Sequence, residues 1–168
     1  MSRKYVELGT VCVKESSDIR QKDLINFEGN YPIYGASGMI KKVDFAHQTK
    51  PYIAIVKDGA GIGRAMLLPS YSSVIGTMQY ILPKDNVDVQ YLFYAIQHMN
   101  LAKYFSGATI PHIYFKDYQK EILPLPDMEE QKEKAKVLSR VDNLLGGCRK
   151  QIKLYDELVK SRFMKEAG

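Results

Sequence analysis

Apolar residues recur along the last quarter of the chain at alternating steps of three and four: Leu138, Val141, Leu145, Cys148, Ile152, Tyr155 and Val159. That period is an a/d seam held over about three heptads, the pattern by which two helices pack along a shared stripe. Leu144, Leu158 and Phe163 widen the stripe, which suits a helix packed against more than one neighbour. Pro124 and Pro126 close a strand-like run, Asp127 can cap, and Glu130 stands where the return bond of a capping box originates. The pattern predicts one helix from Met128 to Lys165, roughly 57 Å long at 1.5 Å rise per residue. A helix of that length exceeds a domain built from the remaining residues and needs a surface to lie on. Gly146 and Gly147 fall in its middle, each costing about 1 kcal/mol relative to Ala. They either kink the helix or admit another backbone. Cys148 and Tyr155 suit a long parallel zipper poorly and favour a short antiparallel pairing. The alternative is an amphipathic helix folded back on its own domain.

Upstream the runs are shorter. Tyr5, Val6, Leu8, Val11 and Val13 form an apolar opening, and the polar stretch from Lys14 to Asn26 reads as a loop with a turn. The segment Gly29 to Gly38 holds three glycines and a proline in ten residues, which fixes a backbone course that ordinary residues resist. Tyr52-Ile53-Ala54-Ile55-Val56 is a continuous apolar run of strand length, predicted to be buried on both faces. A glycine loop, Lys57 to Arg64, leads from it into a second apolar run, Ala65 to Leu68. Thr77 to Leu82 reads as a further strand closed by Pro83. Asp88 can cap a helix carrying Leu92, Phe93, Ile96 and Met99 on one face, with Gly107 beyond its end. A loop from Ser106 to Ile113, a short element from Tyr114 to Lys120 and a last strand from Glu121 to Leu125 complete the chain before the long helix. The defensible domain break lies at Pro124–Asp127, giving a first domain over 1–126 and a helical one over 127–168.

Composition alters this picture little. Hydrophobic residues make up 45% of the 168 residues, enough for a proper core, and the net charge of +5 admits an acidic partner such as nucleic acid. Cys12 and Cys148 stand far apart outside any CxxC context and read as reduced packing residues of a cytosolic protein. No apolar stretch approaches 18 residues and no apolar segment follows the basic N-terminus, so neither membrane insertion nor export is expected.

Candidate chemistry narrows further. The glycines at 59, 61 and 63 do not make G-x-G-x-x-G, and a short strand rather than a helix follows them. A phosphate-cradling loop requires the helix N-terminus, so a tight hairpin bringing Lys57 and Arg64 near each other is the better reading. His47, His98 and His112 have no acidic or cysteine neighbours at metal-ligand spacing, and no nucleophile elbow is present. The expectation is no metal, no cofactor and no active site of its own.

Several segments in order carry a family resemblance: Val6-Glu7-Leu8-Gly9-Thr10-Val11-Cys12, Tyr31-Pro32-Ile33-Tyr34-Gly35-Ala36-Ser37-Gly38, and Lys57-Asp58-Gly59-Ala60-Gly61-Ile62-Gly63. Gly107-Ala108-Thr109-Ile110-Pro111-His112 and Ile122-Leu123-Pro124-Leu125-Pro126-Asp127-Met128-Glu129-Glu130-Gln131 follow. Together they resemble the DNA-specificity (S) subunits of type I restriction–modification systems over nearly the whole chain. The proline-rich strand leading into a Glu-Glu-Gln helix start is the most specific piece. The resemblance implies an α+β fold: a mixed-sheet target recognition domain followed by a long C-terminal helix that pairs as an antiparallel coiled coil. Such subunits usually carry two recognition domains and two spacer helices, and each domain reads half of a split target in double-stranded DNA. Methyltransferase (M) subunits and motor–nuclease (R) subunits join them and carry the chemistry. This chain has one domain and one helix, so it resembles a half subunit whose homodimer would read an interrupted palindrome.

Loop residues with reach are the candidates for DNA contact: Tyr34 and Ser37, Lys57 and Arg64, Thr109 and His112, and Lys116. Arg64 suits a bidentate contact to guanine and the lysines suit phosphates. Against this, Tyr34 can belong to the core, Thr109–Pro111 can merely shape a turn, and Arg64 can be a solvated strand start. The seam residues Leu138, Val141, Leu145, Cys148, Ile152, Tyr155 and Val159 are the dimerisation candidates. Two other classes compete: an assembly module that binds protein partners through the helix without reading DNA, and an enzyme using the glycine loop for a nucleotide.

Overall fold

The structure, a computed structural model, describes residues 4–107 and 110–166. The chain divides into two compact units, 1–132 and 133–168. In the first, strand β1 (Tyr5–Glu7), a helical turn α1 (Leu8–Val11) and strand β2 (Cys12–Ser16) precede a 3-10 helix at Gln21–Asn26. Strands β3 (Tyr31–Gly35), β4 (Gly38–Val43), β5 (Tyr52–Val56), β6 (Ala65–Leu68), β7 (Ser73–Val74) and β8 (Met78–Pro83) follow. Helix α2 (Val89–Met99), a 3-10 turn (Leu101–Tyr104), the single turn α3 (Phe115–Tyr118) and strand β9 (Ile122–Pro124) lead into helix α4 (Met128–Glu166).

The strands form an antiparallel sheet in the order β2-β8-β5-β6, a mixed sheet β4-β3-β7 in which β3 and β7 run parallel, and the antiparallel pair β1-β9. All five residues of β5 are buried, and the pleat sends them alternately into two cores. Ile53 and Ile55 meet Leu92, Ile96 and Met99 of α2, whereas Tyr52, Ala54 and Val56 meet Val74, Met78 and Tyr80. That two-sided burial is why the run shows no polar alternation. A third cluster, Leu24, Ile33, Val43 and Ile75, holds the mixed sheet to the 3-10 helix.

Helix α2 starts where Asp88 accepts a hydrogen bond from the Tyr91 amide at 2.8 Å. It ends at Asn100 in the left-handed region (φ 49, ψ 66), a conformation asparagine tolerates better than most residues, with Gly107 further along the chain. The polar stretch after Val13 is also not a simple loop. Residues 13–16 pair with β8 as an edge strand whose side chains face solvent, so no apolar alternation marks them. The segment Gly29 to Gly38 resolves into a hairpin with Ala36–Ser37 at its tip. Cys12 is buried, donates its thiol to the Leu8 carbonyl at 3.2 Å and has its pKa pushed up to about 12 by burial. Cys148 is exposed on α4 and not packed.

The long helix begins on a capped turn, Asp127 accepting from the Glu130 amide at 2.9 Å. Gln131, only 1% exposed, holds this junction. Its Oε1 accepts from the Asp88 amide at 2.9 Å, and its Nε2 donates to the carbonyls of Asn86 at 3.1 Å and Pro126 at 2.9 Å. One buried amide therefore ties the start of α4 to the start of α2. Further along, the helix is continuous through Gly146 and Gly147, around which nothing stands within 4 Å of a built Cβ. The seam residues lie exposed, from Leu138 at 41% to Val159 at 67%.

Gln131→Leu removes three part-buried hydrogen bonds to backbone groups, each contributing about 0.5–1.5 kcal/mol, from a side chain that is itself buried. We expect urea denaturation to show a loss of at least about 2 kcal/mol; a loss under about 0.5 kcal/mol, the range of ordinary surface substitutions, would show that the Gln131 bonds do not hold the junction.

Candidate nucleic-acid interface

The glycine loop between β5 and β6 is a hairpin closed by its own backbone. The Val56 amide donates to Arg64 O at 3.0 Å, Gly63 to Val56 O at 2.8 Å and Arg64 to Gly61 O at 3.1 Å. Gly63 has φ +78, and a Cβ there would lie 2.4 Å from the amide nitrogen of Ala102. Only glycine lets this loop seat against the 3-10 turn. Gly59 has the same kind of backbone, φ +80, but open space where its Cβ would be.

A second loop, from Ser106 to Ile113, is stitched to the first. The Gly59 amide donates to Pro111 O at 2.9 Å and the Ile113 amide to Lys57 O at 3.0 Å, while Ser106 and His112 exchange backbone bonds at 2.9 Å each way. Side chains add to the stitch. Asp58 accepts from Lys57 Nζ at 2.8 Å through one carboxylate oxygen and contacts His112 Nδ1 through the other. The His112 ring lies against Tyr114, centroids 4.1 Å apart, and Lys116 Nζ sits 5.2 Å from the Tyr114 centroid.

Three clefts surround this construction. Lys14, Lys57, His112, Tyr114 and Lys116 line the first, with Gln79 at 2% exposure among its lining residues. The Gln79 amide donates to the Tyr118 hydroxyl, whose pKa burial raises above the usual phenol range, so that Tyr118 stays neutral. The second cleft is lined by Arg64 with Gly61, Gln97 and Asn100. Ser37 lines the third, opposite Asp58, Ala60 and Thr77.

Lys57, His112 and Lys116 thus share one cleft. Arg64 opens onto another, so the hairpin brings Lys57 and Arg64 together at the backbone while their side chains line separate clefts. Ser37 stands at the tip of the β3–β4 hairpin, exposed. Tyr34, half-buried, packs against the second core cluster and lines none of these clefts. Thr109 lies outside the described residues. Sequence reasoning missed Asp58 as a bridge, because its partner His112 is 54 positions away. It also missed Lys14, hidden in a stretch read as a loop. Among the described residues no group of three or more His, Cys, Asp or Glu could hold a metal ion, and no helix is long and apolar enough to cross a membrane.

These features define an α+β domain of mixed and antiparallel sheets, with loops gathered at clefts, two of them lined by basic residues, and a long helix following it in sequence. The family described as type I restriction modification DNA specificity domain matches residues 3–154, and the chain belongs to it. It is 34% identical over 116 residues to the type I restriction enzyme MjaVIII specificity subunit of Methanocaldococcus jannaschii, covering 67% of this chain and 27% of that protein. The MjaIX specificity subunit of the same organism is 25% identical over 152 residues, 86% of this chain and 35% of its own length. Among solved structures, the type I restriction–modification S subunit from M. genitalium superposes with a TM-score of 0.70 at 19% identity, over 87% of this chain and 40% of that one. A chain from a study of assembly in the type I R-M system gives 0.73 at 22% identity, over 94% and 43%. The fold is therefore shared with these structures. The chain spans about a quarter to a third of the length of the curated relatives.

The seating of the glycine loop is open to a paired test. Gly59→Ala meets only the backbone penalty of a left-handed residue, about 1–2 kcal/mol. Gly63→Ala adds a clash with the Leu101–Ala102 backbone and should cost clearly more, with a correspondingly larger fall in Tm. Equal losses in the two variants would contradict the close approach.

Proposed function

We propose that this chain reads base sequence in double-stranded DNA as the recognition half of a type I specificity subunit, and performs no catalysis itself. The observation that carries the reading is the loop platform: two stitched loops and a hairpin tip place Lys57, His112, Lys116, Arg64 and Ser37 in clefts around one glycine loop. Polar side chains with reach, presented on rigid backbone, are what base and phosphate contacts require. Arg64, exposed beside Gln97 and Asn100, reads a base edge; Lys14, Lys57 and Lys116 meet phosphates; Thr109 and Tyr34 stay with this set as candidates for loop contacts.

The helix supplies the second half of the proposal. Leu138, Val141, Leu145, Cys148, Ile152, Tyr155 and Val159 pair with the same residues of a second copy in antiparallel fashion, which sets two recognition domains on a split, two-fold target. Methyltransferase and motor–nuclease subunits act there, in the cytoplasm. Exposure of the whole seam in the chain supports this arrangement.

Two measurements test these parts separately. With methyltransferase subunits present, binding of a duplex should weaken steeply with salt, and Arg64→Ala should cost about 1–3 kcal/mol and relax preference at one position of a randomised library. Binding indifferent to salt would favour an assembly module without DNA recognition. For the helix, light scattering should report a dimer whose mass falls to that of a monomer in Leu145→Asp. A wild-type chain already monomeric contradicts the pairing.

A further inference from the structure

The geometry points to His112 as a reader of an exocyclic amino group on a base, with Asp58 as the residue that positions it. The inference rests on the DNA-reading proposal and specifies what one residue of that site recognises.

The Asp58 carboxylate accepts from the Lys57 ammonium on one oxygen, and its other oxygen faces His112 Nδ1. A carboxylate only accepts, so Nδ1 carries the proton and donates. In the neutral ring Nε2 then bears a lone pair. No described residue bonds Nε2, whereas Nδ1 has Asp58 as its partner. The ring is held on three counts: by the Asp58 bond, by its tilted contact with Tyr114, and by backbone bonds from His112 to Ser106 on both sides. His112 lines the cleft flanked by Lys14, Lys57 and Lys116. A fixed acceptor among cations that suit phosphates is complementary to a donor on the base. In the major groove the donors are N6 of adenine and N4 of cytosine, while guanine and thymine offer acceptors at the corresponding edge. A ring held in the other tautomer would select the opposite set. Asp58 therefore decides which bases His112 accepts, much as a buried carboxylate fixes imidazole tautomers elsewhere.

The test uses the full chain with its methyltransferase subunits. Selection from random duplexes first defines the preferred motif. Each adenine is then replaced by purine and each cytosine by pyrimidin-2-one, one position at a time, which deletes the amino group alone. At one position per half-site the deletion should weaken wild-type binding about tenfold and have no effect in His112→Leu. Adenine and cytosine arms identify which base supplies the donor. His112→Gln, an acceptor of similar reach, should retain the amino preference. Asp58→Asn, whose amide can donate to Nδ1 and leave Nε2–H outward, should shift that one position toward a keto-bearing base or erase its preference. A uniform loss of affinity in His112→Leu and Asp58→Asn, with every amino deletion as costly as in wild type, overturns the inference. Absence of any preferred motif in the wild type would instead defeat the DNA-reading proposal on which it rests.

Discussion

Strand β5 is buried on both faces, and the exposed chemistry of the domain depends on that burial. Its five residues are shared between two cores, so neither face can slip by one residue without moving apolar groups into the wrong cluster. Full burial of each such side chain contributes roughly 1.5–3 kcal/mol. A strand fixed in register this strongly delivers Lys57 and Arg64 to the surface at set positions. The glycine loop between them then needs only backbone bonds to become rigid, and it has them.

Rigidity in the second loop is borrowed. Ser106, Pro111, His112 and Ile113 lie in no helix or strand, but Pro111 and Ile113 bond the backbone of Gly59 and Lys57, and Ser106 and His112 bond each other. Asp58 completes the arrangement by holding a lysine and a histidine with one carboxylate. The result is polar groups displayed on loops yet positioned by a sheet, the combination that binding surfaces commonly use. The helix answers a different constraint. Association costs on the order of 4–15 kcal/mol in lost freedom. Five aliphatic seam residues on each of two copies, each worth roughly 1.5–3 kcal/mol when buried, can offset that cost only if most of the seam engages. The proposed pairing therefore runs along the whole stripe and is not a glancing contact.

Legibility of the sequence followed where the physics was local. The Met128–Glu166 helix, the Asp127 and Asp88 caps and the doubly buried β5 all rest on spacing or on single-residue geometry, and each can be seen in the chain. Strand β2 was not legible, because an edge strand exposed at every residue after Cys12 carries Lys14, Glu15 and Ser16 without alternation. The end residue of α2 was not legible, because Asn100 closes it in the left-handed region, where asparagine is a less frequent signal than glycine. For the candidate site, spacing placed Lys57 and Arg64 on one hairpin but could not tell that they face different clefts. The Asp58–His112 contact joins residues 54 positions apart, and only the folded sheet brings them together. Gln131 was quoted as part of a motif, whereas its reason, three backbone bonds to two helix starts, is tertiary.

In the proposed assembly a rigid reading surface is joined to a helix that pairs with its own copy, and both halves converge on the symmetry of the target. Methylome sequencing of a host carrying this chain with its methyltransferase subunits measures that symmetry directly. The account predicts one interrupted motif whose two halves are inverted copies of each other. A motif with two different halves, or no motif modified above background, would contradict it.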